Sequence, residues 1–178
     1  MGGDYTRFTF DPRKNYSAVL KQQGRVGLDS DANEDAEIQD RRWRAETLDI
    51  MGSCVVSGYT NPDAFRITEL FCGADGNRCD FRIGVGRMYV DGLQVENHGT
   101  GGNQDFDPTL EEMRSAEPVS YYDQRFYPSP PNIEGPRQNS RTDLVYLDVW
   151  QREVTALEDP EIREVGLGGP DTATRLQT

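Results

Sequence analysis

The sequence predicts a mainly β (α+β) chain: a compact antiparallel β-sandwich or barrel-like domain with one long N-terminal helix and an extended N-terminal arm. Three observations carry that expectation. Over residues 31–51, Ala32, Ala36, Trp43, Thr47 and Met51 recur near one helical face, and Ile38, Ala45 and Leu48 broaden it. After Gly52 the apolar spacing shortens to two, in short runs separated by Gly, Asn and Pro. Between the runs Met88-Tyr89-Val90 and Leu93-Gln94-Val95 stands Asp91-Gly92, a pair that suits a tight hairpin because both residues tolerate positive φ.

Taken in order, residues 1–28 form the arm and residues 29–178 a β-rich domain that begins with the helix at about 31–51. In the arm, Tyr5, Phe8 and Phe10 have strand character, Pro12 turns the chain, and 16–23 suits a short helical turn. Val26 and Leu28 follow at strand spacing. In the helix, Glu37 with Arg41 and Asp40 with Arg44 stand four apart in the favourable order, and Gly52 supplies a stop. Strands are expected at Cys54-Val55-Val56, Ala64-Phe65-Arg66-Ile67 and Asp80-Phe81-Arg82-Ile83. Residues 97–117 read as a loop with a short helix after Asp107-Pro108. Residues 119–126 return to aromatic strand character, and 127–140 is a proline-rich connector. In TDLVYLDVWQREVTAL, Leu144, Tyr146, Asp148 and Trp150 alternate with Val145, Leu147 and Val149. So little polarity predicts a central strand buried on both sides. A helical turn is expected after Asp159-Pro160.

Composition narrows the partners. With 31 acids against 19 bases the formal net charge is -12, and the mean hydropathy is -0.76. Such a surface repels nucleic-acid phosphates and anionic membranes, so neither is an expected partner. No apolar run approaches the roughly 20 residues a spanning helix needs. The N-terminus lacks the blocks of a secretory signal, and its match to a myristoylation pattern through Gly2 and Thr6 is assigned to chance. Cys54, Cys72 and Cys79 do not make an even framework. Reduced, half-buried strand cysteines of a cytoplasmic product are expected, with a bridge between Cys72 and Cys79 as the alternative.

No catalytic pattern emerges. Asp29, Asp31 and Asn33 stand where a calcium loop places its first three ligands, yet Glu34 occupies the position that needs glycine. The competing account caps the helix with Asp29 or Ser30 and crowds Asp31, Glu34 and Asp35 at its positive end. That account is preferred, so no metal and no cofactor are expected. GVGRMYVDG runs into a hairpin rather than a helix, and the single histidine, His98, lies in a glycine-rich loop; neither supports a phosphate cradle or a triad. Tyr121, Tyr122, Tyr127 and Trp150 could line a sugar-binding face, which makes a carbohydrate-binding module the alternative function.

The run DYTRFTFDPRKNYSAVLKQQGRVGLDSDANE resembles the opening of a bacterial domain family of unknown function with the signature QQGRV-x-LD-x-D-x-NE. FRIGVGRMYVDGLQVEN, YPSPP and LVYLDVWQREVTALEDPEIREVGLGGPDTATR extend the likeness in order along most of the chain. The family typically has an aromatic where Ala32 stands and lacks the cysteines at 72 and 79. It is tied to phage-tail-like and contractile injection systems and to the N-termini of larger fibre-like or β-helical proteins. The resemblance implies a non-enzymatic structural component, a baseplate or tail-fibre attachment module. It would be oligomeric in the particle, made in the cytoplasm, built into a tail-like particle that can be released, and in contact with other structural proteins. On this expectation Tyr5, Phe8, Phe10 and Tyr16 bury against a neighbour, and Gln22, Gln23 and Arg25 set how the arm enters the body. Asp29, Asp31, Asn33 and Glu34 tie the junction through backbone amides.

Overall fold

A computed structural model describes residues 3–59, 62–73, 78–100, 116–135 and 141–178. In chain order these form α1 (Asp29–Met51), β1 (Cys54–Val56), β2 (Ile67–Cys72), β3 (Cys79–Ile83), β4 (Gly86–Val90), β5 (Leu93–Asn97), β6 (Val119–Ser120), β7 (Arg152–Val154) and β8 (Arg175–Gln177). Short 3-10 turns stand at Pro12–Lys14, Tyr121–Asp123, Pro160–Ile162 and Val165–Leu167. The fold is mainly β, in small antiparallel sheets ordered β1-β4-β5, β2-β3-β6 and β7-β8; among the described residues there is one α-helix and no closed barrel. The chain divides into two compact units. One holds Met1–Gly52, Asp91–Leu93 and Val149–Thr178, the other Ser53–Val90 and Gln94–Asp148.

In the first unit, α1 begins two residues earlier than the periodicity predicts, and Leu28 occupies the capping position without a side-chain bond. Neither Asp29 nor Ser30 caps it; both already lie inside the first turn. Gly52 ends the helix at φ +93°, its N–H donating to the Leu48 carbonyl at 2.9 Å. Asp40 and Arg44 meet at 3.5 Å. Of the face read from the sequence, only Ile38 is buried. Ser30 and Ile38 are buried, whereas Trp43 is 68% exposed. The helix is so polar that its few large apolar residues do not define a single face, and period alone could not locate the core side. The hairpin tip also belongs to this unit. Asp91 and Gly92 both take positive φ (47° and 77°), as a two-residue hairpin turn requires. A Cβ at Gly92 would come within 2.5 Å of the Arg44 carbonyl oxygen, so close approach excludes a side chain as well.

The second unit contains the two three-stranded sheets. β1 pairs with β4 in register Cys54 to Val90, and β2 with β3 from Ile67–Ile83 to Cys72–Cys79. β3 then pairs with β6, aligning Arg82 with Ser120. Among its described residues, Phe81, Cys79, Val119 and Ala64 are the buried apolar side chains. Asp80 organises the β3-β6 end: its carboxylate accepts from Ser120 Oγ (2.7 Å), the Tyr121 amide (3.1 Å) and the Phe81 amide (2.8 Å). Arg87 and Glu96 pair at 2.5 Å.

Several expectations are corrected. Residues 64–66 are not a strand: Phe65 sits at φ +57° in a turn closed by the Arg66 amide on the Asp63 carbonyl, and β2 starts only at Ile67. The aromatic strand at 119–126 shortens to Val119–Ser120, because Ser120 Oγ accepts the Tyr122 amide and starts a 3-10 turn. Residues 16–23 form no helical turn, and Val26 and Leu28 lie in no strand. The central strand predicted over 144–150 does not form, and β7 starts only at Arg152; Leu144 and Tyr146 are 87% and 79% exposed. Alternation favours an unbent chain, but a ladder needs a neighbour, and these residues have none among those described. Cys72 and Cys79 are joined, not reduced, because β2-β3 pairing sets them directly opposite each other; Cys54 is free and exposed. The tail turn after Asp159 is present as 3-10, with Asp159 accepting the Glu161 amide. The expected short helix after Asp107-Pro108 lies outside the described residues.

The cysteine assignment has a direct check. The folded-then-denatured chain should take one alkyl group, at Cys54, before reduction and three after it. Removing the bridge by Cys72→Ala with Cys79→Ala should cost about 2 kcal/mol in denaturant unfolding.

Candidate functional site

The arm and α1 were singled out from sequence, and within the first unit several side-chain contacts fix the arm. Glu153, on β7, is the collecting point. Its Oε1 accepts from the Gly3 amide (3.0 Å), from Thr174 Oγ1 (2.9 Å) and from the Tyr5 hydroxyl. Tyr5 Oη also lies 2.6 Å from Thr174 Oγ1. Gly3 has no room for a side chain here: a Cβ would stand 2.8 Å from both Thr174 Cγ2 and Tyr5 Oη. Farther along, the acids of α1 hold the arm. Asp29 Oδ2 accepts the Thr6 amide (2.9 Å), Glu34 Oε2 accepts Thr9 Oγ1 (2.6 Å) and Asp35 Oδ1 accepts the Val19 amide (3.1 Å). Acids at a helix start are stabilised by its positive end, and here they serve two elements together.

The aromatic residues divide accordingly. Tyr5 is half-buried and bonded, Phe10 half-buried, and Phe8 and Tyr16 are 68% and 57% exposed. Phe8 lies edge-on to Tyr5, ring centroids 5.3 Å apart. Phe10, Pro12, Asn15 and Tyr16 face Ile38, Arg41 and Arg42 across a groove of about 190 Å³. Gln22, Gln23 and Arg25 lie in an exposed turn, closed by the Arg25 amide on the Gln22 carbonyl with Gly24 at φ +69°. Arg25 makes no ion pair with the acidic cluster among the described residues. Asp31 and Asn33 are half-buried on α1 and hold no arm amide. Because residues 29–33 are helical, Asp31 lies about 200° around the axis from Asp29, so the three candidate calcium ligands do not converge.

The entire chain, residues 1–178, matches a family described as a family of unknown function, DUF6519. The chain belongs to that family. No curated protein matches it, and no solved structure does.

In this DUF6519 chain no group of three or more His, Cys, Asp or Glu is placed to hold a metal ion among the described residues. Of the aromatics considered for sugar binding, Tyr121 and Tyr122 make contacts within the second unit. Tyr121 stacks between Phe81 and Tyr122, at 5.0 and 5.1 Å, and burial pushes its phenol pKa up. Tyr122 Oη accepts the Ile133 amide (3.0 Å) and reaches the Cys79 carbonyl (3.0 Å), while Arg78 lies over its ring at 3.8 Å. Tyr127 is exposed in the second unit; Trp150 belongs to the first. Sequence reasoning missed Glu153, Thr174 and the role of Asp35. QREV carries no local signal that its acid will meet the N-terminus, whereas Asp35 was visible as part of the acidic cluster.

Titration follows from these contacts. Asp29 has its pKa lowered, first by the hydrogen bond with the Thr6 side chain and then by the Thr6 amide. A depressed carboxylate contributes stability above the ordinary Asp range and loses it as pH falls through the lowered value. Acid titration followed at the Thr6 amide by NMR should therefore show a midpoint below the ordinary 3.8. Glu37 moves the other way, raised by burial and then by the Glu34 charge.

Ser30 offers a sharper discrimination. Its hydroxyl is buried with no partner, so Ser30→Ala should stabilise the chain by roughly 1 kcal/mol in denaturant unfolding. A capping role would give a loss of similar size instead.

Proposed function

We propose that this chain is a non-enzymatic structural component of a phage-tail-like or contractile injection particle, a baseplate or fibre-attachment module that works by protein-protein contact. The observation that carries the reading is the apolar surface left open on the arm and α1. Phe8 and Tyr16 on the arm, and Trp43, Ile50 and Met51 on the helix, are exposed in the same unit whose polar contacts hold the arm in place. Large aromatics preset by their own fold and still open to solvent have the character of interface anchors, because little ordering entropy remains to be lost on docking. The anionic surface, at net charge -12, favours solubility before assembly and partners that are neutral or cationic. A Cys72–Cys79 bridge supports a working place outside the reducing cytoplasm, as for a particle that leaves the cell.

The arm has two roles in this reading. Tyr5 secures it within the unit, and Phe8 and Tyr16 present it outward. Particles purified from producing cells should contain the chain. Phe8→Glu combined with Trp43→Glu should lower incorporation more than about tenfold while leaving the melting temperature nearly unchanged. A wild-type chain that never sediments with particles would refute the proposal.

A further inference from the structure

Residues 144–148, Leu-Val-Tyr-Leu-Asp in the second unit, have the sequence of a buried strand and the surroundings of none. From 141 to 150 the chain has no turn, bend or helix, and no residue takes positive φ. Leu144 and Tyr146 are 87% and 79% exposed, and Val145 and Leu147, pointing the other way by strand alternation, are 48% and 42% exposed. Among the described residues, none of the backbone N–H or C=O groups of 144–148 has a hydrogen-bond partner. Four apolar side chains in a row on such a chain form an unprotected edge, lacking the lysine, proline or bulge with which proteins blunt one.

We propose that residues 144–148 receive an added β-strand from another polypeptide, one with apolar residues at alternate positions and a lysine or arginine that meets Asp148. This rests on the assembly reading above and specifies one kind of partner for it. The backbone decides the partner's secondary structure. A docked helix has its own N–H and C=O groups committed internally and would leave those of 144–148 unsatisfied, whereas an extended chain supplies both. The charges decide its sign. Asp143 is already held by Arg141 at 2.8 Å, and the same guanidinium donates to the Glu134 carbonyl at 3.1 Å. Asp148 is exposed and has no cation beside it among the described residues, in a chain of net charge -12. A strand carrying an acid opposite it would be repelled; one carrying a base gains a cross-strand pair.

The test uses the full chain and short capped peptides of alternating valine and threonine, flanked by lysine or by glutamate. Hydrogen exchange of the 144–148 amides is followed by NMR. The lysine peptide should slow exchange there about tenfold at millimolar concentration, the glutamate peptide far less, and a lysine peptide with central proline not at all. Asp148→Lys should reverse the preference between the charged peptides. No protection by any peptide, or equal protection by both charged ones, overturns the inference. So does protection that rises with chain concentration alone, which would mean that a second copy covers the edge. Particle incorporation is scored separately: a chain that enters particles but gains no protection from peptides loses this inference and keeps the assembly reading.

Discussion

Glu153 holds the N-terminus because little else in its unit can. Among the described residues, Ile38, Val154 and Ala156 are the buried apolar side chains there, too few to fix a 23-residue helix, an arm and a tail by apolar burial alone. A single carboxylate oxygen taking the Gly3 amide, the Tyr5 hydroxyl and Thr174 closes the beginning of the chain onto its end. Charge-assisted bonds are about twice as strong as neutral ones, and their directionality selects one arrangement where nonspecific burial would accept several. The acids of α1 extend the same device along the arm. A thin core thus leads to polar closure, and polar closure leaves apolar side chains free for other uses.

Much of the fold could be read from the residues. The helix, its glycine stop, the Asp91-Gly92 turn and the 3-10 turn after Asp159 all follow from local stereochemistry, which a few neighbouring residues determine. What could not be read depends on distant partners. Whether 144–150 forms a ladder is decided by the presence of a neighbouring strand, not by its own alternation. The Cys72–Cys79 bond depends on β2-β3 register, which spacing alone leaves open. The buried side of α1 was misjudged because Trp43 outweighs Ser30 in any hydropathy pattern, yet Ser30 is the residue inside. At the candidate site the acidic cluster and arm aromatics were visible, but pairing each acid with a particular arm group required the path of residues 3–19.

Family membership and surface character meet at one point. Membership in a family of unknown function assigns no chemistry, so the physical surface has to carry the functional argument. Rings and aliphatic chains are open on the arm and α1, and residues 144–148 are unpaired among the described residues. Tyr121 and Tyr122, in contrast, are occupied in tying β3 to the turn after β6 and to Ile133.

The Cys72–Cys79 bond makes a covalent ring of the β2-β3 turn, and the Arg78–Cys79 peptide bond lies inside that ring. A trypsin-like protease cutting after Arg78 would therefore break the backbone without separating the fragments. Such a nick would leave the two strands tethered side by side, a form of damage tolerance obtained from two cysteines.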